Sequence, residues 1–201
     1  MKKGKILSVI SIVLITISLV GCTGKNEKKY NYTEIEANLN NGDYKIEYNN
    51  DDRFFKSEVN PTTESEKVIL DLFKVTISDE YDKFKDLYVQ SDLYKDYPNV
   101  YKESFEKGMY TEAIVVHNMK ILNKDEYTKD SKSKTYYAYM DKLKELNPAE
   151  YQIVEVKYTT KLTEKYDEKA KWGSGTWVRY YVVVKETKDA PWRVFDIYGH
   201  E

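Results

Sequence analysis

One cysteine, two histidines and no excess of basic charge remove several kinds of chemistry from this 201-residue chain at the outset. A single thiol, Cys22, cannot close a disulfide within the chain, so the folded part is stable without a staple. The two imidazoles, His117 and His200, lie far apart in sequence with no carboxylate at zinc-ligand spacing, and no metal site is expected. The formal net charge is −2, and no basic stripe with interleaved aromatics occurs, so nucleic acid is not the expected partner. There is no G-x-S-x-G elbow, no P-loop and no H-E-x-x-H, and no cofactor is expected. Gly173-Ser174-Gly175 would need a following helix to cradle a phosphate, and a strand pattern follows instead. Alanine, glycine and proline are scarce, while lysine, asparagine, tyrosine and isoleucine are plentiful. That bias fits an AT-rich genome, so the 20 tyrosines need not all be functional.

What is present begins with an address. Lys2, Lys3 and Lys5 precede an apolar run, Ile6 to Val20, that is too short for a comfortable membrane span and reads as a signal segment. It ends in Leu19-Val20-Gly21-Cys22, which resembles the lipobox of bacterial lipoproteins. The resemblance implies cleavage after residue 21, diacylglycerol on Cys22 and a membrane anchor on the extracytoplasmic face. Cleavage would remove three lysines and take the formal charge from −2 to −5. Residues 22–55 are polar and read as a flexible tether, with Tyr44–Tyr48 as a possible short strand.

Residues 56–201 read as one α+β domain, helices first and an antiparallel sheet after. Thr63 and Glu66 form a capping box before a stripe of Val68, Ile69, Leu72, Phe73 and Ile77. Further helices fit 79–89 and 99–107, the last stopping at Gly108. From Thr111 the period changes to two, with Ala113, Val115, His117, Met119 and Ile121 on one face. A helix over about 133–146 must stop at Asn147-Pro148. Val154, Val156, Tyr158 and Leu162 then alternate against Glu155, Lys157, Thr159 and Lys161. The last two strands organise the whole: Thr176, Val178, Tyr180, Val182 and Val184 face one way, Trp177, Arg179, Tyr181 and Lys185 the other, followed by Trp192-Arg-Val-Phe-Asp-Ile.

The order of helices, curved sheet and the closing Gly175-Thr-Trp-Val-Arg-Tyr-Tyr-Val-Val-Val-Lys-Glu and Trp192-Arg-Val-Phe-Asp-Ile resembles the nuclear transport factor 2-like fold. It also resembles uncharacterised Gram-positive lipoproteins that carry such a domain behind a lipobox. The resemblance implies a cone-shaped domain with helices packed on a curved antiparallel sheet, and it implies little about function, because that fold hosts enzymes and non-catalytic binders alike. The inserted helix near 133–146 departs from the pattern and is expected to cover part of the cone mouth.

Two sets of residues are candidates for function. His117 and Asp196 could serve as base and proton partner if both entered one pocket, making a proton-transfer enzyme of the isomerase or dehydratase type. The alternative is that His117 is a hydrogen-bonded core residue and Asp196 an edge carboxylate. Tyr158, Tyr180 and Tyr198 are candidate core or pocket walls, with Trp192 beside them, and Trp177 and Tyr181 are expected to be exposed and able to stack on a sugar or fill a protein interface, the alternative being that the inserted helix covers their sheet face. The reading that follows is a non-catalytic, membrane-anchored envelope lipoprotein that binds a protein partner or envelope ligand, as monomer or homodimer.

Overall fold

Six strands run side by side in sequence order in the computed structural model, which describes residues 47–50, 52–170 and 173–199. β1 (Glu47–Asn50) pairs antiparallel with β2 (Arg53–Ser57), and β2 lies parallel to β3 (Thr111–Ile121). β4 (Glu150–Leu162), β5 (Gly175–Lys185) and β6 (Arg193–Tyr198) continue the sheet antiparallel. The parallel pair needs a crossover, and the helices between residues 57 and 111 supply it. The sheet is therefore mixed rather than antiparallel throughout. It also starts at Glu47, inside the stretch read as a tether, so the folded unit begins before residue 56. Arg53-Phe-Phe-Lys-Ser is too brief for its alternation to stand out among polar neighbours, yet Phe55 is fully buried. Cys22, Trp172 and His200 lie outside the described residues.

Helix α1 (Glu64–Ser78) forms where the sequence predicts it. Thr63 Oγ1 accepts from Glu66 N–H, and the Glu66 carboxylate accepts from Thr63 N–H, which closes the capping box. Asp79 ends the helix in the left-handed region, φ 63°, and its carboxylate pairs with the buried Arg53 of β2 (Nη2 to Oδ2, 2.9 Å). The helix buries Ile69, Leu72, Phe73 and Ile77 against Ile114, Val116, Val154, Val156, Tyr181 and Val183 of the sheet. Each such side chain contributes roughly 1.5–3 kcal/mol.

The single helix expected over 79–89 is a 3₁₀ turn, Tyr81–Lys83, followed by the one-turn α2 (Phe84–Leu87). The reason is tertiary: Tyr88 is extended and bridges to Val194, and Val89 N–H donates to the Val194 carbonyl at 3.0 Å, so β6 captures the backbone. α3 (Tyr97–Glu106) starts over Pro98 and ends before Gly108, whose φ of +71° favours glycine.

Of the helix expected near 133–146 only α5 (Met140–Leu146) forms, and a separate short helix, α4 (Lys124–Thr128), stands upstream of it. Asn147, at φ 50°, ends α5. A one-turn helix, α6 (Glu164–Asp167), precedes β5. The inserted segment does not cover the mouth of a cone. Tyr127, Tyr137 and Leu143 bury themselves instead against Ile153, Tyr180, Val182 and Val184, on the sheet face turned away from α1. The centre of β5 is consequently covered on both sides, and Tyr181, expected to be exposed, is 3 % exposed. Among the described residues no helix is long and apolar enough to cross a membrane.

Two β-bulges decide which side chains meet. One lies between Val116 and Asn118 and gives His117 no partner of its own on β4. It breaks the expected alternation: Met119 and Ile121 pack with Ile114 and Val116 on the α1 side, and His117 stays with Val115 on the other. The second lies where Val182 faces Asp196 and Val183 faces Val194, so Asp196 leaves the alternation set by Trp192 and Val194.

Candidate functional site

Between α1, the Tyr88–Tyr101 segment and the sheet lies a cavity of about 430 Å³. Its chemistry follows from how each wall is made. Phe73 and Leu72 come from the apolar stripe of α1, one turn before Thr76, whose hydroxyl donates to the Leu72 carbonyl at 2.9 Å. Tyr88 sits where β6 captures the chain. Tyr94, Tyr97 and Tyr101 recur at three and four residues, the spacing that stacks side chains on one face of a helix. Tyr158 and Tyr181 stand on β4 and β5, Trp177 lies near the start of β5, and Tyr166 reaches in from α6. Nine of the described residues in the wall are aromatic.

The rings touch in a network. Tyr88 and Tyr94 are stacked with centroids 4.4 Å apart, and Tyr97 stands nearly perpendicular to both, at 5.3 and 5.1 Å. Phe73 meets Tyr158 at 5.0 Å and Tyr181 at 5.7 Å. Contacts of this kind add about 0.5–1.5 kcal/mol each beyond area burial. Burial pushes the phenols of Tyr88, Tyr101 and Tyr181 up, so they remain neutral hydroxyls. Burial also raises Tyr94 and Tyr97, and the nearby Asp196 charge adds to it. At Tyr158 burial raises the phenol while Arg179 opposes the rise.

Two charged side chains belong to the wall, Arg179 and Asp196. Arg179 is 3 % exposed, its guanidinium lies 4.9 Å from the Trp177 ring centroid, and Nη1 donates to the Val178 carbonyl at 3.2 Å. Asp196 is held by two donors: Tyr137 Oη to Oδ2 at 2.9 Å and Ile197 N–H to Oδ1 at 2.8 Å. Tyr94 Oη donates to the neighbouring Phe195 carbonyl at 2.9 Å, which ties the tyrosine segment to β6.

His117 is not in this wall. Nδ1 lies 2.8 Å from Glu58 Oε2, Nε2 lies 2.8 Å from Thr159 Oγ1, and Thr159 Oγ1 lies 2.8 Å from Thr176 Oγ1. The order carboxylate, imidazole, hydroxyl is that of an acyl-transfer triad. Thr159, however, is a buried β-branched residue whose hydroxyl is shared with Thr176, so the chain of bonds acts as a strut across three strands. The expected pairing of His117 with Asp196 is not made: one belongs to the strut, the other to the cavity. Among the described residues no group of three or more His, Cys, Asp and Glu could hold a metal ion.

Of the other candidates, Trp177, Tyr158 and Tyr181 line the cavity. Tyr180 and Tyr198 do not; they stack on each other at 5.0 Å on the reverse face, beside Tyr137. Trp192 packs at the edge of the α1-side core, with Lys185 Nζ 5.8 Å from its ring centroid. Sequence reading missed Tyr94, Tyr97, Tyr101 and Arg179. The spacing of the three tyrosines was the available signal.

A family model described as Domain of unknown function (DUF4829) matches residues 66–197. The chain belongs to that family. The matched span runs from the first turn of α1 to β6 and contains every described residue of the cavity wall, whereas Arg53 and the first two strands fall outside it. No curated protein matches the chain.

Proposed function

We propose that this protein is an extracytoplasmic lipoprotein, anchored through acyl chains on Cys22, whose domain is a nuclear transport factor 2-like cone that works as a non-catalytic binding module. The observation that carries the binding reading is the cavity: about 430 Å³ bounded by nine aromatic side chains and two opposite charges. Ligand pockets are mostly apolar, with a few placed polar groups, and this wall has that composition. Support for the cone comes from α1 packed on one face of a sheet with register shifts in β3–β4 and β5–β6, the kind of irregularity that bends strands. The lipobox-like Leu19-Val20-Gly21-Cys22 supports the anchor. Proton transfer between Asp196 and His117 would need both groups at one ligand atom, and His117 is engaged by Glu58 and Thr159 instead.

Two experiments test this. Metabolic labelling with radioactive palmitate is expected to mark the wild-type chain and not Cys22→Ser; equal labelling of both would contradict the anchor. A small-molecule thermal-shift screen is expected to find compounds that raise the melting temperature of the wild type and not of Thr160→Trp, which fills the cavity. An empty screen, or the same shifts in both proteins, would contradict the binding reading.

A further inference from the structure

Given the binding reading above, the charge that the cavity presents to a ligand is positive and belongs to its floor. Arg179 faces the fully buried Val156 across the β4–β5 pair and is itself 3 % exposed, so its guanidinium lines the cavity from the sheet rather than from the rim. Tyr158, opposite Trp177, is its diagonal neighbour on the same face, and the Arg179 charge reaches the Tyr158 phenol. A neutral hydroxyl therefore stands beside the guanidinium. Asp196, the other charge of the wall, has both carboxylate oxygens engaged, by Tyr137 Oη from the reverse face and by Ile197 N–H.

A guanidinium is costly to bury, and an ionised acceptor offsets that cost best because the planar fork can hold it with two parallel bonds. Arg179 gives one bond to the Val178 carbonyl and lies against the Trp177 ring. With five N–H groups an arginine can serve more than one acceptor at once. The rest of the wall asks for the opposite chemistry. Leu72, Phe73, Ile114 and Leu162 are apolar, and the two exposed residues of the wall, Leu93 at 65 % and Ile197 at 36 %, are aliphatic as well. The cavity thus runs from a buried cation to an aliphatic rim. A molecule that enters acid first and leaves its apolar body among the rings matches that order.

We propose that the cavity binds a small organic monoacid, its carboxylate at Arg179 and Tyr158 and its apolar body passing Phe73 toward Leu93 and Ile197. An aromatic acid and a medium-chain fatty acid share this chemistry.

Isothermal titration of the full chain at neutral pH, where both acids are ionised, tests this with phenylacetate, octanoate and their neutral amides, phenylacetamide and octanamide. At least one acid is expected to bind at one site, at least about tenfold tighter than its own amide. Phenylacetate tighter than octanoate would name an aromatic acid as the ligand class, and the reverse order an acyl chain. Arg179→Met should weaken the acid about tenfold or more and leave the amide unchanged, and Thr160→Trp should weaken both. The comparison of acid with amide is made on the wild-type chain and does not depend on how the variants fold. Equal affinity for each acid and its amide, no binding of either acid, or an acid preference that survives in folded Arg179→Met would overturn the proposal. The broader binding reading would survive any of these results and stands or falls by its own thermal-shift test.

Discussion

The sheet is filled at the centre of its reverse face, where the open space of about 490 Å³ lies further out between α4, α5 and Tyr151, whereas on the α1 face the open space of about 430 Å³ lies against the strands themselves. On the reverse face Tyr137, with no exposed surface, enters a cluster of Leu143, Ile153, Tyr180 and Val182, and short connecting segments suffice to complete it. On the α1 face a 15-residue helix covers one part of the sheet, and beyond it aromatic side chains stand around open space. Both faces are built from the same residue types. The difference is where the covering chain comes from: α4 and α5 reach the sheet through Tyr127 and Leu143, whereas the Tyr88–Tyr101 segment is drawn to β6 by the backbone bond of Val89 and the hydroxyl of Tyr94. A tyrosine held by its hydroxyl at an edge leaves its ring as a wall rather than a plug.

High pH should break both faces together, and it is the largest effect expected. Burial raises the phenols of Tyr88, Tyr101 and Tyr181 on one face and of Tyr137 and Tyr198 on the other above their ordinary value of 10.0. The unfolded chain therefore loses these protons first, so their contribution is fully present below pH 10.0 and declines as pH rises above it. Phenolate absorbance of these groups is expected to appear in one cooperative step together with loss of far-ultraviolet circular dichroism. Ionisation near the ordinary value with the fold intact would mean that water reaches the rings.

Substitutions separate the faces. Tyr137→Ala should cost about 3–5 kcal/mol in urea unfolding, since it empties a site that nothing else can fill. A loss below about 1 kcal/mol would mean that the inserted segment is not part of the cooperative fold. Val182→Phe, an enlargement on the same filled face, should cost about 1–3 kcal/mol through overpacking. Thr160→Leu makes a comparable enlargement into the cavity and should change stability by less than about 0.5 kcal/mol. Similar costs for the last two variants would erase the distinction between a filled face and an open one.

How much of this the sequence carried depends on whether local pattern or tertiary capture decided the outcome. The capping box of Thr63 and Glu66 and the apolar stripe after it are local, and α1 forms as read. The clean alternation of β4 is local too. The faces of β3 were misread beyond Val116 because a bulge adds one residue without any glycine or proline to announce it. The same misreading put His117 in the pocket. The helix expected over 79–89 had the right stripe, but a backbone pairing with β6, about a hundred residues away in sequence, overrode it. Tyr94, Tyr97 and Tyr101 were visible as residues and lost among 20 tyrosines. The composition hid the cavity more than the spacing did.

The most direct test of the central claim, that the ring-lined cavity on the α1 face is the functional site, is a nuclear Overhauser measurement from a compound found in the thermal-shift screen to the assigned ring protons of the full chain. The account predicts cross-peaks to rings of the cavity wall such as Tyr94, Tyr97 and Trp177, lost when Thr160→Trp replaces the wild type. Cross-peaks confined to Tyr139, which is 52 % exposed, or to Tyr198 on the reverse face would contradict it.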